Sequence, residues 1–241
     1  MANKVLYTSI VGGYDKLHEP NIILDDWDYI CFSNDYIPSE NSVWQIRPIP
    51  PQSKDHISTS RFVKINPHIV LKDYRFSLWI DGNVIIKGKY AYSRAEQLIK
   101  QGELISIPKH PLRDCTFEEA AICIKIGKEY KSIIKEQMQN LKENGFPENI
   151  GLFEGNIIFR NHLHKDIIEL DEAWWNEYTR YSKRDQLSLR YMLWKNQINC
   201  IPFFEEGYNV RNHPDFAYPA HKRTLKHKIN KRIRILKNKF T

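Results

Sequence analysis

Apolar residues fall into two kinds of run along the chain. Short, nearly unbroken runs close on glycine or small polar residues: Lys4-Val-Leu-Tyr-Thr-Ser-Ile-Val11 before Gly12-Gly13, Tyr29-Ile-Cys-Phe-Ser33, Phe76-Ser-Leu-Trp-Ile80 before Asp81-Gly82-Asn83, and Leu152-Phe-Glu-Gly-Asn-Ile-Ile-Phe-Arg160. That pattern predicts strands. A shorter strand is expected at 103–108. Between them the spacing turns helical at 58–67 and at 91–101, which Gly102 closes. Thr116-Phe-Glu-Glu119 has the capping-box form and predicts a long helix to about residue 144, stopped by Gly145. Trp174-Trp175 falls within 166–181, and Arg184-Asp185-Gln186 opens a helix through Trp194. Strands and helices alternate without internal repeat or linker, so a single α/β domain is expected over 1–220.

The last segment, 221–241, is different. Leu225, Ile229, Ile233, Leu236 and Phe240 recur at helical spacing, with cations on the other faces. This segment holds nine Lys or Arg and no acid, out of 36 Lys or Arg against 29 Asp or Glu in the whole chain. The net charge of +7 therefore resides in the tail, and the body carries 27 basic residues against 29 acidic ones. A basic amphipathic helix suits the surface of an anionic membrane. A terminal helix docked on the domain, a solvated tail and a nucleic-acid contact are the alternatives.

A chain of 241 residues with 41% hydrophobic and 12% aromatic residues can bury a substantial core. No run approaches the roughly 18–20 apolar residues of a membrane span, and Met1 leads into a strand without a signal-peptide pattern. Cys31, Cys115, Cys123 and Cys200 include no Cys-x-x-Cys pair. Sharing or flanking a helix would put Cys115 and Cys123 roughly 12 Å apart, beyond disulfide reach. Reduced thiols and a cytoplasmic address, peripheral on the inner face of the cell membrane, are the expectation.

Candidate chemistry begins at Asp81-Gly82-Asn83. A carboxylate and an amide oxygen two residues apart, with glycine allowing a sharp turn, can converge on one hard cation such as Mg²⁺ or Mn²⁺. A cation beyond the carboxyl end of a strand suits a diphosphate; a polar turn between two strands would read the same way. Arg61 and Lys64, three apart on one helix side, are candidates for phosphate contacts, with a solvated surface face as the alternative. Gly12-Gly13 lets backbone approach a ligand. Asp185 could serve as a sugar contact or base, or could cap its helix. His110-Pro-Leu-Arg113-Asp114 gathers polar groups after a strand, as acceptor contacts or as an internal Arg113–Asp114 network. His213 is a candidate third metal ligand.

In order, Tyr7-Thr8…Gly12-Gly13-Tyr14-Asp15, Ser60-Arg61-Phe-Val-Lys64, Trp79-Ile-Asp81-Gly-Asn83, His110-Pro-Leu-Arg113-Asp114-Cys115, Gly151-Leu-Phe-Glu154, Trp174-Trp175 and Arg184-Asp185-Gln186 resemble a glycosyltransferase-like domain. That domain occurs in bacterial polysaccharide loci and in plant Golgi proteins of wall and mucilage biosynthesis. The resemblance spans residues 4 to about 215 and is similar, more distantly, to the glycogenin and galactosyltransferase group. It implies a GT-A, Rossmann-like nucleotide-sugar-binding domain with a mixed central sheet. It further implies a cation at Asp81 and Asn83, a nucleotide near Thr8, Gly12, Gly13 and Tyr14, and Glu154, Asn156, Asp185 and Gln186 around the transferred sugar. Asn83 stands where a second acid is usual, which removes one negative charge from the metal site. The expected activity is metal-assisted transfer of a sugar, from a uridine diphosphate donor, to a surface-polysaccharide or lipid-linked glycan acceptor, with no nucleic-acid partner. A sugar nucleotidyltransferase and a non-catalytic nucleic-acid- or membrane-binding module are the rival readings.

Overall fold

A computed structural model describes residues 3–13, 15–50, 55–220 and 225–240. Tyr14, one of the expected nucleotide contacts, lies outside these residues. The body is a mixed α/β domain built on a seven-stranded sheet in the order β3-β2-β1-β4-β7-β6-β8. The strands are β1 (Lys4–Ser9), β2 (Asp28–Phe32), β3 (Gln45–Arg47), β4 (Phe76–Ile80), β6 (Ile105–Ile107), β7 (Ile157–Arg160) and β8 (Ile201–Pro202). β7 runs antiparallel to its neighbours β4 and β6, and the other pairings are parallel. Two further short strands, β5 (Ile85–Ile86) and β9 (Phe216–Ala217), pair antiparallel beside the sheet. Eight helices accompany them among the described residues.

Successive side chains of a strand leave on opposite faces, and here both faces are covered. Tyr7 and Trp79 pack in the layer that holds Phe62, Trp174 and Leu189. Leu6, Leu78 and Ile80 pack in the other, with Tyr92, Leu98 and Phe203. All five residues of β4 are buried, which accounts for its unbroken apolar run.

Helix α1 (His56–Ile65) starts where Asp55 accepts from the Ile57 amide at 3.0 Å, and it stops at Asn66 because Pro67 opens the short α2 (Pro67–Val70). α3 (Tyr90–Lys100) ends before Gly102, at φ +73°. The long helix expected from Thr116 is in fact two, α4 (Thr116–Lys125) and α5 (Lys131–Glu143), broken at Gly127, whose φ of +65° no helix tolerates. The capping box is not formed either: the Thr116 hydroxyl is buried without a partner, and Glu119 turns to Arg113. α6 (Lys165–Arg180), α7 (Asp185–Lys195) and α8 (Leu225–Phe240) complete the set. All four cysteines are free thiols.

A buried polar knot joins β1, α1, β7 and α6. Arg160, fully buried in β7, donates to Asp171 Oδ1 at 2.9 Å, to the Tyr7 hydroxyl at 2.7 Å, and to the Lys64 carbonyl. It thereby fixes the backbone from which the Lys64 side chain projects. Removing one partner of a buried ion pair strands the other charge, so Arg160→Met is expected to lower the unfolding free energy by about 3–5 kcal/mol. Urea titration measures this; a loss below about 1 kcal/mol would show that Asp171 finds another partner or sheds its charge.

Candidate active site

β1 is followed by β2 on one side, while β4 lies on its other side, so the sheet's connections leave in opposite directions between β1 and β4. Ligands of open α/β sheets collect beyond the carboxyl ends of the strands at such a point. Gly12 and Gly13 follow β1 there, and Asp81-Gly82-Asn83 follows β4. The two segments touch: a Cβ on Gly82 would stand 2.6 Å from Ile10 Cδ1 and 3.3 Å from Asp15, so a side chain there would have to displace the end of Ile10. The Val84 amide donates to the Asp81 carbonyl at 2.8 Å and closes the turn.

The centre is a chain of alternating charges. Lys64 Nζ, almost fully buried, lies 2.6 Å from Asp185 Oδ2 and 3.4 Å from Asp81 Oδ1. Arg61 Nε approaches the same Asp185 oxygen at 3.2 Å. The i, i+3 spacing on α1 thus brings both cations to one carboxylate, which their charges, with that of Arg184, hold well below the usual carboxylate range against the opposing effect of burial. Asp185 is the first residue of α7 and not its cap, the capping position being Arg184. A carboxylate at a helix N-terminus is favoured by the backbone dipole. Trp174 Nε1 donates to the Asp185 carbonyl at 3.2 Å and to Ser188 Oγ at 3.0 Å, which holds the start of the helix. Gly155 passes close to Lys64, where a Cβ would stand 3.1 Å from Nζ.

The donor set suits a hard divalent cation. Trp79 Nε1 donates to Asp81 Oδ1 at 2.9 Å, the oxygen that also faces Lys64, so among the described residues nothing bonds Oδ2. Asn83 donates through Nδ2 to the Pro219 carbonyl at 2.7 Å and keeps a buried Oδ1 without a partner. Two oxygens at one turn supply about a third of a six-ligand coordination shell, to be completed by phosphate or water. His213, the expected third ligand, lies in an aromatic cluster. Its ring lies against that of Tyr90, tilted by 45° with centroids 4.1 Å apart, and is ringed by Phe204, Tyr208 and Phe216, while Nδ1 accepts from the Asp215 amide. Among the described residues no three His, Cys, Asp or Glu side chains gather for a metal.

A second group flanks the first. Glu154 forks onto Arg211 with oxygens at 2.7 and 2.5 Å, and the guanidinium lies over the Tyr218 ring at 4.8 Å. Burial, with the Asp81 and Glu154 carboxylates nearby, pushes the Tyr218 phenol up, so it remains a hydrogen-bond donor. His110 Nδ1 faces the amides of Leu112 and Arg113 at 3.2 and 3.0 Å, and its Nε2 faces Arg113 Nη2 at 3.1 Å. Burial and the Arg113 charge lower the pKa of His110, keeping it neutral. Arg113 pairs with the buried Glu119 at 2.5 Å, while Asp114 is exposed, so the expected Arg113–Asp114 network is replaced by Arg113–Glu119.

The remaining expected contacts are close by in different states. Asn156 accepts the Asp81 amide on its carbonyl at 2.8 Å, and both atoms of its side-chain amide are buried without partners. Thr8 Oγ1 and Gln186 Nε2 are likewise buried and unpartnered. Gly12, at φ +66°, donates its amide to Asp35 at 2.8 Å. The amide expected to face a nucleotide is therefore engaged by a side chain that the sequence did not single out. Sequence reasoning also missed Trp79, Arg211 and Tyr218; the Trp79-x-Asp81 spacing, which puts both side chains on one strand face, was the available signal for the first.

The sheet order and the position of the site define a glycosyltransferase fold of GT-A type. The apo structure of WbbM, a bifunctional glycosyltransferase, aligns with a TM-score of 0.50 and 11% identity over 87% of this chain, which spans 40% of the WbbM chain. Core-mannan synthase A of Aspergillus fumigatus, in its Mn/GDP form, aligns at a TM-score of 0.46 and 9% identity over 80% of this chain and 70% of its own. No match is found among curated proteins. The TOD1/MUCI70 glycosyltransferase-like domain matches residues 39–213, and the chain belongs to that family.

Proposed function

We propose that the chain transfers a sugar from a nucleoside diphosphate donor, of the uridine type, to a hydroxyl of a glycan acceptor. The observation that carries this reading is the Arg61–Asp185–Lys64–Asp81 charge chain at the carboxyl ends of β1 and β4. In such a reaction the bond from the anomeric carbon to the diphosphate breaks, a bond to the acceptor oxygen forms, and the acceptor's proton passes to the departing diphosphate. Negative charge grows on the departing diphosphate, so the largest contribution comes from cations already held in place. Lys64 and Arg61 are such cations. Asp185 orients them, and Arg160 pins the Lys64 backbone, so little reorganisation is needed as the charge develops.

Asp81 and Asn83 would hold a divalent cation, which when bound supplies Lewis-acid neutralisation of the diphosphate. Asn156 and Gln186, with buried unsatisfied amides, are suited to sugar hydroxyls, since a ligand would relieve their unmet hydrogen bonds. Glu154, Arg211, Tyr218, His110 and Arg113 form the acceptor side. Calorimetric titration of the purified protein with uridine diphosphate is expected to show binding that Mn²⁺ strengthens. Heat from no nucleoside diphosphate, with or without Mn²⁺, would overturn the reading in favour of a non-catalytic domain.

A further inference from the structure

The C-terminal helix meets the body by its polar edge. Asn238, 8% exposed, accepts the Lys131 amide at 2.9 Å and donates to the carbonyls of Ile124 and Glu129 at 3.1 and 2.9 Å. Arg234 donates to the Lys128 carbonyl at 2.8 Å. The close approach needs a glycine: a Cβ on Gly127 would stand 2.6 Å from Ile235 Cγ1 and 2.8 Å from the Lys231 carbonyl. These contacts come from Lys231, Arg234, Ile235 and Asn238, one face of a helix that turns about 100° per residue.

The apolar stripe lies about 180° away from that face by the same rotation. Ile229, Ile233 and Leu236 are 48%, 43% and 56% exposed, so the body does not cover them. Arg232 and Lys239, also exposed, border the stripe on one side, and Lys237 lies on the other. An apolar ridge between rows of cations, on a segment with no acid, is complementary to one kind of surface. It matches an anionic leaflet, where acyl chains receive the ridge and headgroups receive the cations. A nucleic acid would use the cations and leave the ridge in water. Among the described residues no helix is long and apolar enough to cross a membrane, so the contact is one that lies on the surface.

We propose that helix α8 is a docking surface for an anionic lipid bilayer, clamped to the α4–α5 connection so that the catalytic domain rides on the membrane. The connection, held at the Lys128 carbonyl by Arg234, is packed onto the helix that carries Asp185: Cys123 of α4 and Ile134 of α5 share a buried cluster with Leu187 of α7. A bilayer seated on α8 is therefore tied to the segment beside the charge chain, an arrangement suited to a lipid-anchored acceptor. That last step rests on the proposed sugar transfer; the bilayer contact does not.

Co-sedimentation of the full chain with vesicles of phosphatidylglycerol and phosphatidylcholine tests the contact. Binding is expected to the mixed vesicles, to weaken steeply with salt, and to be nearly absent from pure phosphatidylcholine. Ile233→Ser with Leu236→Ser is expected to lower the apparent affinity about tenfold or more, since two side chains lose their burial in lipid. Both are about half exposed, and uridine diphosphate titration serves as the folding control. Asn238→Ala loosens the clamp and keeps the stripe, so it is expected to retain vesicle binding. Equal binding by the double Ser variant, or attachment to nucleic acid but not to vesicles, overturns the proposal. Vesicle binding without any nucleotide binding would leave it standing while removing the sugar-transfer reading.

Discussion

Asp185→Asn is expected to lower turnover by about 10²–10³-fold, the cost of losing one preorganised charge in a transition state that develops charge. The replacement keeps the shape and one acceptor oxygen, so the result isolates the charge. Without it, Lys64 and Arg61 face an amide, and the carboxylate left near Lys64 is Asp81, at 3.4 Å. The ammonium is then drawn onto the oxygens that a divalent cation needs, so the KM for metal and donor rises along with the fall in kcat. Stability falls as well, by about 3–5 kcal/mol, because a largely buried pair of cations loses its partner. Initial-rate kinetics and urea titration separate the two effects, and an Asp185→Asn protein that turns over like its parent would end the assignment.

The pH dependence of that stability difference has a definite sign. The carboxyl group of Asp185 is held well below its ordinary value by Arg61, Lys64 and Arg184. A depressed carboxylate stabilises the fold fully above its unfolded value, about 4, and loses that contribution as the pH falls toward the folded value. The gap between parent and Asp185→Asn is therefore expected to be flat from pH 5 to pH 8 and to narrow below about pH 4.

Strands β1, β2, β4, β6 and β7 were legible because burial writes itself as an apolar run, whereas β3, β5, β8 and β9, two or three residues each, are too short to leave a pattern. The Phe76–Ile80 strand and the polar turn after it follow directly from five buried residues ending on Asp-Gly-Asn. Arg61 and Lys64 were legible as a pair because helix periodicity puts i and i+3 on one side. What they pair with was not, since Asp185 lies 121 positions from Lys64 and no local pattern reports a contact at that distance. The same holds for the Glu154–Arg211 fork and for Tyr218 beneath it. Glu119 was misread for the opposite reason: a valid local rule, the capping box, competed with a stronger demand, since Arg113 at the edge of the site needs a carboxylate more than the first turn of α4 needs a cap.

Asp81→Ala is expected to abolish the effect of Mn²⁺ on donor binding and to reduce turnover by at least about 10³-fold, because it removes the one carboxylate of the proposed cation site. The fold should withstand it. The Asp81 amide still donates to the Asn156 carbonyl, the turn to Val84 uses backbone alone, and Lys64 keeps Asp185. Trp79 Nε1 loses its acceptor, a cost of about 1–3 kcal/mol that thermal unfolding will register. Asn83→Ala removes a neutral ligand and is expected to weaken Mn²⁺ while leaving measurable turnover, so the two variants grade the site by charge. Electron paramagnetic resonance of bound Mn²⁺ reads the metal directly. If Asp81→Ala loses turnover while Mn²⁺ binds as before, the carboxylate acts through Lys64, and the ammonium, not a divalent cation, carries the charge of the departing diphosphate. Unchanged turnover would move the reaction away from the β4 turn altogether.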